Sequence, residues 1–165
     1  MSELLDRADS AFSTHDSFER DGDDAWVSTT TAFDGRVGLG TTDEGRLWLD
    51  VTVRVPVLSA VTVDEVADVV EDGWTETFER RVVDVGGVVR GDHEFDPDVN
   101  RDGETITVTF EVVDVDGRRA VDDAGALIDF VEGTYVQGVI PGYEYTDPVA
   151  GLLSAAHQQG NGGAF

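Results

Sequence analysis

Apolar residues recur along the chain with two periods, about four and strictly two. Near the N-terminus Leu4, Leu5, Ala8 and Phe12 share one face of a short helix spanning residues 2–12, with Ser2 as a candidate N-cap. Residues 16–24 are polar and acidic and read as a loop. Residues 26–33, rich in Thr, Val and aromatics, read as a strand. Asp34-Gly35 reads as a hairpin turn from which residues 36–41 return. After Asp43-Glu44-Gly45 comes the clearest strand. Leu47, Leu49, Val51, Val53 and Val55 alternate with Arg46, Trp48, Asp50, Thr52 and Arg54, one face dry and the other largely wet, until Pro56 ends the run.

Thr62-Val63-Asp64-Glu65 matches a capping box, in which a Thr hydroxyl and a Glu carboxylate satisfy the first amides of a helix. Val66, Val70, Trp74 and Phe78 then repeat every fourth residue along one helix face. Arg80 and Arg81 occupy the last turns, where the helix dipole favours cations, and Gly86-Gly87 is the stop. Residues 88–95 read as a strand, 96–103 as a loop and 105–113 as a strand with Ile106, Val108, Phe110 and Val112 on one face. Asp114-Val115-Asp116-Gly117 leads into a third helix with the apolar stripe Val121, Ala124, Ile128, Val131 and Tyr135, broken by Pro141-Gly142. Residues 147–157 form a short final helix, and the Gly-rich residues 158–165 a mobile tail.

The resulting order, α-βββ-α-ββ-α, predicts an α+β fold: a largely antiparallel five-stranded sheet with helices packed against it and a short C-terminal helix. A length of 165 residues suits one domain, residues 1–157, able to bury a core without staples.

Composition changes the picture through charge. Asp and Glu number 35 against 11 Arg and no Lys, a formal net charge of -24. Such a surface repels itself in dilute buffer, whereas molar salt shortens the Debye length to about 3 Å and screens the repulsion. Acid spread along the whole chain, without lysine and over a Val- and Ala-rich interior, resembles proteins of salt-in halophilic archaea. With no cysteine, disulfides, thiolate nucleophiles and cysteine-ligated zinc are excluded. No apolar run is long enough to span a bilayer, and Met1-Ser2-Glu3-Leu4 lacks the basic and apolar regions of a signal peptide, so a cytoplasmic location is expected and a membrane is not.

Over residues 2–138 the element order resembles the type III secretion chaperone-like fold, which includes the YbjN-like proteins. That resemblance implies a small, often dimeric module that binds segments of partner proteins. The whole chain, with the acidic stretch from His93 to Glu104 and the following Thr-Ile-Thr-Val-Thr-Phe strand contributing, is similar to small acidic haloarchaeal proteins of an uncharacterised family, which implies no catalytic or binding residues.

The candidate metal site is Asp98-Val99-Asn100-Arg101-Asp102-Gly103, whose alternating oxygen ligands and turning glycine reproduce half of a calcium loop. Its twelfth position is Thr109 rather than a bidentate Glu, and its flanks read as strands, so an acidic hairpin explains the same residues. His15, His93 and His157 fall in separate segments, and Asp92-His93-Glu94 alternates faces if it is a strand. There is no nucleophile elbow and no Ser-x-x-Lys. Gly38-Leu39-Gly40 lacks both the third glycine and the following helix of a dinucleotide fingerprint. Adjacent acids such as Asp23-Asp24 and Asp122-Asp123 are expected by chance among 35 carboxylates. Nucleic acid is disfavoured, because Arg80-Arg81 and Arg118-Arg119 are the only basic doublets on an acidic chain, and Asp122 and Asp123 stand ready to pair with the second.

Trp48, on the wet face of the best strand, is the leading interaction residue, with Tyr143 and Tyr145 as lesser candidates. These features predict a non-enzymatic protein-binding, chaperone-like or regulatory module that contacts a protein partner or a second copy of itself. The alternatives are an ion- or small-molecule-binding domain using residues 98–103 for calcium, and an enzyme without a recognisable motif.

Overall fold

The computed structural model describes residues 2–22, 25–29, 31–84 and 97–162, with side chains from Glu3 to Ala155 among them. Six strands form one antiparallel sheet: β1 Phe18–Asp21, β2 Ala25–Ser28, β3 Asp34–Thr41, β4 Leu47–Pro56, β5 Asp98–Asp102 and β6 Thr105–Asp114, in the spatial order β1-β2-β3-β4-β6-β5. Four helices accompany it: α1 Ser2–Thr14, α2 Asp68–Val83, α3 Gly117–Gln137 and α4 Val149–Gly162. A 3-10 turn, Leu58–Val61, follows β4.

Alternation decides which face is dry. Leu47, Leu49, Val51, Val53 and Val55 of β4 and Ile106, Val108, Phe110 and Val112 of β6 are buried on the face covered by α1 and α3. The α3 stripe Val121, Ala124, Ile128, Val131 and Tyr135 packs onto them. Two glycines let helices sit close. A β-carbon on Gly35 would stand 2.8 Å from Ile128 Cγ2, and one on Gly117 would stand 3.0 Å from the Ala8 backbone nitrogen. Aromatic rings close both flanks: Phe12 stacks on Trp26 beneath α1, and Trp74, Phe78, Phe33 and Tyr135 cluster where α2 meets α3.

The architecture is α+β as predicted, but the sheet has six strands among the described residues rather than five. Two segments read as loops are edge strands. β1 lies within 16–24, where Phe18 is its only buried side chain. β5 lies within 96–103, where pairing with β6 outweighs low strand propensity. The strand expected over 26–33 stops at Ser28, and Asp34-Gly35 opens β3 instead of making the turn. Tertiary contacts set that bend: Glu132 on α3 accepts the Ala32 N–H at 2.8 Å, Gly35 sits under Ile128, and Asp34 faces Arg54.

The capping box also fails. The α2 helix begins at Asp68, and Thr62 instead bridges to Tyr145 while its hydroxyl donates to the Asp64 carbonyl. The third helix starts where expected, with the Asp116 carboxylate accepting the Arg119 N–H. The last helix runs on to Gly162, through residues 158–162 read as tail. The expected strand over 88–95 and the Gly86-Gly87 stop lie outside the described residues.

Candidate functional site

Three interior polar groups, Asp114, Glu71 and Tyr135, tie elements of the fold together. Asp114, at the end of β6, is buried and takes a two-pronged pair of hydrogen bonds from Arg119, Nε to Oδ2 at 2.8 Å and Nη2 to Oδ1 at 2.6 Å. The backbone amides of Val115 and Asp116 also donate to its Oδ1. Burial alone would raise this carboxyl, but the hydrogen bonds from Arg119 and the two amides outweigh it and hold the group below its ordinary range. Arg119, expected to pair with Asp122 or Asp123, is thus turned back toward β6, although Asp123 also favours its charge.

Glu71, buried on α2, accepts the Ser59 N–H at 2.9 Å and lies 3.6 Å from Arg101 of β5, tying three elements together. The Tyr135 hydroxyl donates to the Pro56 carbonyl at 2.9 Å, and burial, with the neighbouring Tyr145 and Glu71, raises its pKa. Glu132 is likewise raised by burial, partly offset by the amides of Ala32 and Phe33. His15 accepts the Ser17 N–H at Nδ1, which leaves Nε2 facing Asp122 at 3.4 Å. His93 and the side chain of His157 lie outside the described residues, as do Asp23 and Asp24. No group of three or more His, Cys, Asp or Glu able to hold a metal ion occurs among the described residues.

Asp98, Asn100 and Asp102 are all exposed on β5, at alternate positions of an edge strand. They share a face, opposite Thr109, Thr107 and Thr105 of β6. A strand sets same-face neighbours roughly 7 Å apart, so the three oxygens lie in a row rather than around one centre. Gly103, with φ +63, makes the two-residue turn to β6, the place of glycine in a II′ hairpin.

Tyr145 closes a core edge, its hydroxyl donating to the Ile140 carbonyl at 2.6 Å and accepting the Ile140 N–H at 3.0 Å. Tyr143 packs partly buried against the same core. Trp48 is not brought near either tyrosine. It lies near the start of β4, whereas Tyr135, the ring that neighbours Tyr145, meets Pro56 at its end.

Trp48 stands on the sheet face away from α1 and α3. No side chain on that face is fully buried among the described residues. Gly40 of β3 pairs with Trp48, and Val113 of β6 flanks it on the other side. The indole lies over Gly40, where a β-carbon would stand 3.0 Å from Cε3. Two residues along β4, Asp50 pairs directly with Glu111 of β6 and with Gly38 of β3. The face therefore presents a half-buried indole, a glycine gap and two opposed carboxylates. Sequence parity pointed to Trp48; the Asp50–Glu111 pairing needed the β4–β6 register, which no local pattern carries.

No helix among the described residues is long and apolar enough to cross a membrane. No curated protein and no solved structure matches the chain. Residues 13–155 match a family of unknown function, DUF5813, and the chain belongs to that family.

Proposed function

We propose that this chain is a non-enzymatic binding module of a halophilic, cytoplasmic archaeal protein, and that it docks a protein partner on the open face of its sheet. The carrying observation is Trp48, half-buried over Gly40 on a face where no described side chain is fully buried. A half-buried tryptophan on an open sheet face is the residue type that anchors protein interfaces. The edges support the same surface. β1 and β5 are only 4 and 5 residues long and carry Glu19, Arg20, Asp21, Asp98, Arg101 and Asp102, features that oppose strand-to-strand addition. The resemblance in element order to chaperone-like modules that bind partner segments points the same way. Against catalysis stands the engagement of Asp114, Glu71 and Tyr135 in contacts that tie elements together.

The test is site-specific photo-crosslinking in cells grown at native salt, with p-benzoylphenylalanine at Val113 beside Trp48 and, as control, at Val69 on the solvent side of α2. A discrete adduct from position 113, absent from position 69 and lost with Trp48→Ala, is the expected result. Adducts equal at the two positions, or none at 113, would refute docking on this face. Light scattering in molar KCl separates a foreign partner from a second copy.

A further inference from the structure

We infer that the open face recognises a cationic side chain, an arginine or lysine of the partner, held over the Trp48 indole with its charge against Asp50 and Glu111. This inference rests on the docking surface proposed above and names its chemistry.

The chain contains a worked example of the arrangement. On the opposite face the Arg20 guanidinium lies 4.8 Å from the centre of the Trp26 ring while it pairs with Asp9 of α1. Indole, guanidinium and carboxylate together satisfy the cation's π contact and its hydrogen bonds. Trp48, Asp50 and Glu111 repeat the acceptor half of that triad. Two cations of this face are committed elsewhere: Arg36 pairs with Asp21 at 2.5 Å and Arg54 with Asp34 at 3.7 Å. Arg46 precedes Trp48, on the side away from Asp50, and makes no ion pair or ring contact among the described residues.

Asp50 and Glu111 are directly opposed across β4 and β6, with no ion pair to either among the described residues. Like charges at directly paired positions repel, and their β-carbons stand roughly 5 Å apart. A cation between them removes that repulsion. Gly38, paired with Asp50 on its other side, leaves a space free of side chain into which an incoming stem fits beside the indole. A second copy of this chain fits poorly, because two such faces would bring four carboxylates together. In molar salt long-range steering is screened, so contact-range stacking and charge-assisted hydrogen bonds must carry the recognition.

The experiment uses the full chain at 2 M KCl, followed by amide and indole N–H NMR. The probes are acetyl-Gly-Arg-Gly-Arg-Gly-amide and the same peptide with citrulline in place of arginine, which keeps shape and removes charge. The arginine peptide is expected to shift the Trp48 indole with the amides of Gly38, Asp50, Glu111 and Val113, saturably. The citrulline peptide, or the Asp50→Asn/Glu111→Gln chain, is expected to bind at least tenfold more weakly. Equal shifts with both peptides would overturn the cation requirement while leaving the docking surface intact. Shifts spread evenly over the acidic surface, or none at the Trp48 patch, would overturn the inference outright, and the crosslinking result then judges the surface by itself.

Discussion

The Trp48 indole lies on Gly40, its cross-strand partner, so closely that a β-carbon there would stand 3.0 Å from Cε3 and 3.6 Å from Cζ3. Glycine in a strand interior costs backbone entropy and normally marks close approach of another group. Here the approaching group is the indole, which lies down across β3 rather than standing into solvent.

Gly40→Ala tests this directly. The backbone at Gly40 has no positive φ, so alanine fits the strand, and only the flexible indole has to give way. We expect stability to stay within about 1 kcal/mol. With 5-fluorotryptophan incorporated, one of three 19F resonances, the one removed by Trp48→Phe, should move toward its solvent-exposed position. An unmoved resonance would show that the ring does not rest on residue 40.

Gly35→Ala should behave oppositely. Its β-carbon would meet Ile128 Cγ2 at 2.8 Å and Cδ1 at 3.2 Å beneath the centre of α3. A β-branched side chain in a packed core has little freedom to yield. A loss of about 1–3 kcal/mol is expected in urea melts at fixed KCl. In an Ile128→Ala background the same substitution should cost much less, because the two groups are in contact. Equal costs in both backgrounds would mean that α3 is not seated there.

Acid should release the link between β6 and α3. The hydrogen bonds from Arg119 and the two amides hold the folded Asp114 carboxyl below its ordinary range, so its contribution is fully present above that range and fades as pH falls through the folded pKa. Asp114→Asn should lower stability near neutral pH by about 1–3 kcal/mol, through weakened bonds to the amides and to Arg119. It should also flatten the acid limb of the stability curve below pH 4. A variant with an unchanged acid limb would assign acid sensitivity to other carboxylates.

Salt should govern cooperativity. With a net charge of -24, unfolding midpoints followed by circular dichroism should rise from 10 mM to 2 M KCl. Over that range the Debye length falls from about 30 Å to below about 3 Å. An equal midpoint throughout would show that the carboxylates are locally neutralised.

Several elements were readable residue by residue. The alternation from Leu47 to Val55 named the dry face of β4, and the α3 stripe was buried at every expected position. Errors fell where a segment has little local signal or a misleading one. Phe18 is the only buried side chain of β1, and Asp98–Asp102 is polar throughout except for Val99, so neither carries enough apolar alternation to announce a strand. The sequence Thr62 to Glu65 has the right residues for a helix start, yet the bridge from Thr62 to Tyr145 claims that backbone first. The site divides similarly. Trp48 is legible as an apolar residue on a wet face, whereas only the tertiary structure shows that the hydroxyl of Tyr145, a lesser candidate, is spent on Ile140.

The sequence by itself determined which residues share a face, where the major helix runs, and that the chain carries a large excess of acid, because periodicity and composition are properties of the residues themselves. Only the tertiary structure decided which strands adjoin, that Asp50 faces Glu111, that Gly40 lies under Trp48, and that Arg119 turns to Asp114. Those relationships come from hydrogen-bonded register and packing between distant segments. Their free energy appears only when the chain closes on itself, and it leaves no trace in local pattern.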